Sequence, residues 1–120
     1  MDLLIVEDDE FNREMLTRRF VRAGFSAAAA ADGREGLRIA AETRPRVIVL
    51  DAILPDMAGE DVIAAIRARA DIAATPVVVL TSDSGREPAC REAGCDAFKV
   101  KPVEFSDLLK IVRMFNANPG

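Results

Sequence analysis

Four short apolar runs in this chain of 120 residues each end on a residue able to do chemistry. Leu3 to Val6 runs into Glu7, Asp8 and Asp9, and Val47 to Leu50 runs into Asp51. Val77 to Leu80 runs into Thr81 and Ser82, and Ala97 to Val100 into Lys101 and Pro102. As strands of one parallel sheet, all four would end on the same edge, where open α/β sheets bind ligands, above all where strand order reverses. Carboxylates drawn together raise one another's pKa unless a cation intervenes. Oxygen-only donors select hard cations, and a small cluster with positions left open to water and a phosphoryl oxygen suits Mg2+ better than Ca2+. Glu7, Asp8 and Asp51 with one Mg2+ and Lys101 are formally neutral together. The expectation is therefore a divalent-cation pocket able to accept a phosphoryl group.

The elements that would position these residues can be read from the pattern. Leu-Leu-Ile-Val, Val-Ile-Val-Leu and Val-Val-Val-Leu are unbroken apolar runs, as suits strands covered on both faces. A further strand over Ser26 to Ala30 contradicts the helix propensity of alanine and rests on its place between Gly24 and the turn pair Asp32-Gly33. Phe11 and Met15, then Leu16 and Phe20, pair at i, i+4 before Gly24, and Asp9 is placed to cap that helix. Leu37, Ala40 and Ala41 share a second helical face, and Val62, Ile63 and Ile66 a third. Phe105, Leu108, Leu109, Val112 and Phe115 form the clearest stripe. Gly85 and Pro88 restrict the stretch from Asp83 to Ala93 to a short helix with the proline in its first turn. The alternation predicts a doubly wound α/β fold with a parallel sheet and right-handed crossovers. With strand order 2-1-3-4-5, Glu7, Asp8 and Asp51 would share the crevice at the reversal.

Composition narrows the alternatives. Half of the residues are hydrophobic and 30% are charged, which fits one compact domain over residues 1–120, with its core in 2–116, and argues against disorder. The Asn118-Pro119-Gly120 end reads as a frayed terminus. A net charge of −4 and a pI near 4.9 offer no general basic field, so nucleic acid is not an expected direct partner. Histidine is absent, which excludes His-based catalysis and His-ligated metals. Cys90 and Cys95 lack zinc or CxxC spacing and read as small buried or half-buried thiols in a reducing compartment. No apolar run suits a membrane span, and Met1 to Phe11 lacks the basic start of a secretory signal, so the expectation is cytoplasmic with no membrane partner.

The acidic pair Glu7-Asp8, Asp51 with Pro55 and Gly59 after it, Thr81, and Lys101-Pro102 together resemble the response-regulator receiver domain of two-component signalling, from Leu3 to Phe115. The resemblance implies a flavodoxin-like (βα)5 sandwich. It makes Asp51 the phosphoacceptor, taking a phosphoryl group from a phosphohistidine on a sensor histidine kinase or phosphotransfer protein. It makes Asp8 the direct Mg2+ ligand, Glu7 the second acid, and the backbone carbonyl of Ile53 a further ligand. Lys101 would neutralise phosphoryl oxygens, and Lys101-Pro102 would be a cis peptide. Thr81 and Phe98 resemble the family's switch pair, with packing alone available to a phenylalanine. The implied function is a phosphorylation-dependent switch that catalyses only its own phosphorylation and dephosphorylation and relays the change to a downstream protein.

Several of these residues also have plainer readings. Pro55 and Gly59 shape the loop after Asp51, Ser82 is small, Lys99 is a solvated edge charge, and Phe98 can be simple core filling. The stretch from Thr81 to Gly94 is short for such a domain, which points to a truncated fourth helix and an altered output face. Ile53 is expected to shield the acyl phosphate from water and lengthen its lifetime. Alternatives are a receiver module of a longer hybrid kinase or transcriptional regulator, and an unphosphorylated interaction module. An acid-nucleophile phosphatase is disfavoured, because Ile53 stands where its second acid would be.

Overall fold

The computed structural model describes residues 1–116, so the Asn118-Pro119-Gly120 terminus lies outside the described residues. In chain order the elements are β1 (Leu3–Val6), α1 (Glu10–Arg22), β2 (Ala27–Ala30), α2 (Gly33–Thr43), β3 (Val47–Asp51), α3 (Gly59–Arg67), β4 (Val77–Thr81), a 3-10 turn (Ser84–Arg86), α4 (Glu87–Ala93), β5 (Ala97–Val100) and α5 (Phe105–Asn116). The five strands form one sheet of order β2-β1-β3-β4-β5, and all four pairings are parallel. This is the doubly wound architecture expected from the alternation.

Side chains alternate across the sheet and divide the core into two layers. On one face Leu4, Val6, Ile48, Leu50, Val77 and Val79 pack with Ala40 of α2, Ile63 and Ile66 of α3 and Cys90 of α4. On the other, Leu3, Ile5, Val47, Val49, Val78 and Leu80 pack with Phe20 of α1 and Leu108 and Val112 of α5. With both faces covered, the central strands must be apolar at every position, which is why they read as unbroken runs.

The helix ends follow local chemistry. Asp9 caps α1 by accepting from the Asn12 amide at 3.2 Å, and Gly24, at φ 101°, ends it in a left-handed turn that only glycine adopts without strain. Of the pairs expected on α1, Phe20 is buried and meets Phe25 and Phe105 edge to face, while Phe11 is exposed. The alanine run is a strand, shorter by one residue than expected. Ser26 is held outside it by Asp2, whose carboxylate accepts from the Ser26 amide at 2.9 Å. Tertiary pairing with β1 thus overrides alanine's helix propensity. The fourth helix has only 7 residues, with Pro88 in its first turn as expected. Cys90 is buried and Cys95 half-buried, and burial pushes the Cys90 thiol up to about 11, which leaves it inert at neutral pH.

Candidate functional site

β3 and β4 each run one residue further than the apolar pattern suggests, so Asp51 and Thr81 are the last residues of their strands. The register pairs Val6 with Leu50 and Asp51 with Leu80, which brings the segments after β1, β3 and β4 to one rim. There Glu7, Asp8 and Asp51 each offer a carboxylate oxygen, and these oxygens lie within 4.8 Å of one another. Lys101, just beyond β5, reaches into the same place. Its Nζ donates to Glu7 Oε1 at 2.8 Å and to Asp51 Oδ2 at 3.0 Å. The Lys101-Pro102 peptide is cis, as the resemblance implied.

Burial differs across the cluster. Glu7 is only 4% exposed, Asp51 is half-buried and Asp8 is exposed. Burial raises the Glu7 carboxyl above its ordinary value, opposed by the hydrogen bonds from Lys101 and from the Asp9 amide. For Lys101, burial alone would lower the ammonium, but the bonds to Glu7 and Asp51 outweigh it and the net direction is upward. Its two carboxylate partners thus favour the ammonium form. One ammonium bonded to two of three carboxylates leaves negative charge over, and the donors are all oxygens. That is the donor set a hard divalent cation takes. Glu7, Asp8 and Asp51 fit Mg2+.

The supporting contacts come from residues that the linear pattern did not single out. Arg13 of α1 donates from Nη1 to the Glu7 carbonyl at 3.0 Å and to the Asp8 carbonyl at 3.3 Å, pinning the acidic segment. Asp56 accepts from the Gly33 and Arg34 amides at 2.8 and 2.9 Å, tying the loop after β3 to the start of α2. Neither contact has a sequence signature, since each joins an ordinary surface residue to backbone brought near by the fold. Asp51 Oδ1 accepts from the Ile53 amide at 2.9 Å, and the Ile53 side chain is 45% exposed beside it. Gly59 is required where it stands, because a Cβ there would lie 2.5 Å from Ala52 Cα.

Thr81 is fully buried at the end of β4, and its Oγ1 accepts from the Asp83 amide at 3.2 Å. Phe98 packs in the same core layer as Val79 and Cys90 and is 8% exposed. Lys99 is exposed on the edge strand. Glu7, Asp8, Asp51 and Lys101 thus meet at one rim, Thr81 ends the neighbouring strand, and Phe98 lies in the core.

Comparison with known proteins decides what this arrangement belongs to. The profile of the response regulator receiver domain matches residues 3–113. The chain belongs to this family. Receiver domains are the phosphoacceptor switches of two-component systems rather than turnover enzymes. The chain is 34% identical over 115 residues to the transcriptional regulatory protein HprR of Escherichia coli, covering 94% of this chain and 50% of that protein. It thus spans about half the length of the curated relatives it matches. Its fold matches chemotaxis protein CheY4 of Vibrio cholerae with a TM-score of 0.88 at 30% identity, covering 95% of this chain and 97% of that one. It also matches the receiver domain of sensor histidine kinase PA1611 of Pseudomonas aeruginosa, with a TM-score of 0.90 at 26% identity and 98% of each chain covered. That receiver has a magnesium ion coordinated in its active-site cleft. No helix among the described residues of the present receiver is long and apolar enough to cross a membrane.

Proposed function

We propose that residues 1–120 are a single receiver domain, with its core in 2–116, in which Asp51 accepts a phosphoryl group from a phosphohistidine of a sensor histidine kinase or phosphotransfer protein. The observation that carries this reading is the pair of hydrogen bonds that Lys101 donates to Glu7 and Asp51 inside a cluster of oxygen ligands. An Asp51 carboxylate oxygen forms the new bond to phosphorus as the phosphorus–nitrogen bond of the donor breaks, and the leaving imidazole takes a proton from solvent. Asp8 and Glu7, with Asp51 and the Ile53 carbonyl, would hold Mg2+, which when bound neutralises phosphoryl oxygens. Lys101, kept protonated by its carboxylate partners, faces the same oxygens, so positioning and electrostatics supply the rate and the domain acts only on its own phosphoryl group.

Thr81 and Phe98 form the proposed switch. Because Thr81 Oγ1 accepts from the Asp83 amide, its own proton is free to be donated to a phosphoryl oxygen. Phe98 lacks a hydroxyl and responds through packing alone, so the output is a population shift between two arrangements. We place the domain in the cytoplasm, with a downstream protein as its target. A second reading rests on length: because the curated relatives are about twice as long, the same switch would serve inside a hybrid kinase or a transcriptional regulator, where any nucleic-acid contact belongs to another segment.

The test is incubation with a small-molecule phosphodonor and Mg2+, followed by mass spectrometry for an acid-stable, base-labile phosphate. Wild type is expected to carry it on Asp51, and Asp51→Ala to carry none. Labelling that survives Asp51→Ala would move the acceptor elsewhere.

A further inference from the structure

We propose that Arg86 is a positioning residue that couples the segment after Thr81 to the peptide after Asp51, through the Ala52 carbonyl and the Glu60 carboxylate. The inference rests on the reading of Asp51 as acceptor. Arg86 closes the 3-10 turn that follows β4, and its guanidinium crosses to the neighbouring loop. Nη2 donates to the Ala52 carbonyl at 3.4 Å and lies 3.7 Å from Glu60 Oε1 at the start of α3. Ala52 is the residue next to the acceptor. Its carbonyl also accepts from the Gly59 amide at 2.8 Å, so Arg86 joins the contact that packs α3 against that peptide.

The route from Thr81 to Arg86 is continuous. The Asp83 amide donates to Thr81 Oγ1 at 3.2 Å, Asp83 Oδ1 accepts from the Gly85 amide at 2.9 Å, and the Asp83 carbonyl accepts from the Arg86 amide at 3.2 Å. A change in the position of the Thr81 hydroxyl is therefore carried to the base of the Arg86 side chain. At the far end the bonding is incomplete. Arg86 Nε and Glu60 Oε1 are both buried, and neither has a hydrogen-bond partner among the protein groups described. A rigid fork with an unused donor facing a carboxylate with an unused oxygen gains or loses bonds over a small displacement of the turn, so the pair registers that displacement.

The experiment is calorimetric titration of beryllofluoride in the presence of Mg2+, and of Mg2+ alone, into wild type, Arg86→Gln, Thr81→Ala and the double variant. Arg86→Gln is expected to weaken beryllofluoride binding about fivefold while Mg2+ affinity stays within about twofold, because no metal ligand is touched. Arg86→Lys, which keeps the charge but not the fork, should fall between the two. In the Thr81→Ala background Arg86→Gln should have no further effect. Independent effects of the two substitutions, or equal losses of beryllofluoride and Mg2+ affinity, would overturn the coupling. Glu60→Gln, which preserves side-chain shape, is held to the same criteria if Arg86→Gln does not fold. A wild type that binds no beryllofluoride sinks the acceptor reading as well; a wild type that binds it no better than Arg86→Gln sinks only the role of Arg86.

Discussion

At the edge of the sheet where β4 and β5 begin, the Arg67 guanidinium uses all three of its nitrogens. It donates to the Gly94, Ala73 and Thr75 carbonyls at distances down to 2.6 Å, and to Asp96 Oδ2 at 3.0 Å. Asp96 in turn accepts from the Val77 amide at 2.8 Å. At the opposite edge one ammonium, that of Lys101, faces the cluster of Glu7, Asp8 and Asp51. The first arrangement balances its charge within the chain, one guanidinium against one carboxylate. The second leaves charge unbalanced, one ammonium against three carboxylates, with the exposed Asp8 carboxylate outside the lysine's bonds. The contrast teaches that a charged cluster signals function when its own fold does not complete it, and signals structure when it does.

The sharpest way to break this contrast is to remove the cation from each edge. Arg67→Ala is expected to cost about 3 kcal/mol of stability by stranding several carbonyls and Asp96, read as a lower urea midpoint, with phosphorylation of the folded protein unchanged. Lys101→Ala should slow phosphorylation by a small-molecule donor about a hundredfold in stopped-flow assays. A loss of acceptor activity in folded Arg67→Ala, or normal phosphorylation of Lys101→Ala, would erase the distinction.

Smaller effects sharpen it. Ile53→Asn should speed loss of the phosphoryl group about threefold, a barrier change below ~1 kcal/mol, because a half-exposed apolar side chain beside Asp51 would give way to one that can hold water. Unchanged or slower decay of the labelled protein would remove the shielding role. Asp56 lies on the rim but is fully partnered, so it tests whether edge or bonding decides. The Arg34 amide, joined by that of Gly33 and opposed by slight burial, holds its carboxyl below the ordinary value of 3.8. A folded-state pKa below the unfolded one gives stabilisation that is complete above 3.8 and lost as pH falls through the lower folded value. Acid titrations of stability should therefore show wild type ahead of Asp56→Asn at neutral pH and the two converging in acid.

Much of this was legible from the chain. The two-faced burial of β1, β3 and β4 forces apolar runs, so those strands announce themselves, and the acids and the lysine at their ends are few enough to stand out. The alanines of β2 were harder, since their strand state comes from pairing with β1 rather than from their own preference. Phe11 showed the reverse limit: its helical spacing is correct, yet it lies outside the core. Arg13, Asp56 and Arg86 carried no signal, because a side chain that bonds to distant backbone needs no particular residue type at that distant position.

Residue order and type alone determined the βα alternation, the covered central strands and the set of groups at their ends, because burial and backbone preference act locally. Only the folded sheet decided that Lys101 joins Glu7 to Asp51 and that Arg67 satisfies the opposite edge. Those contacts span long stretches of chain, and register and side-chain reach exist only once the strands lie side by side.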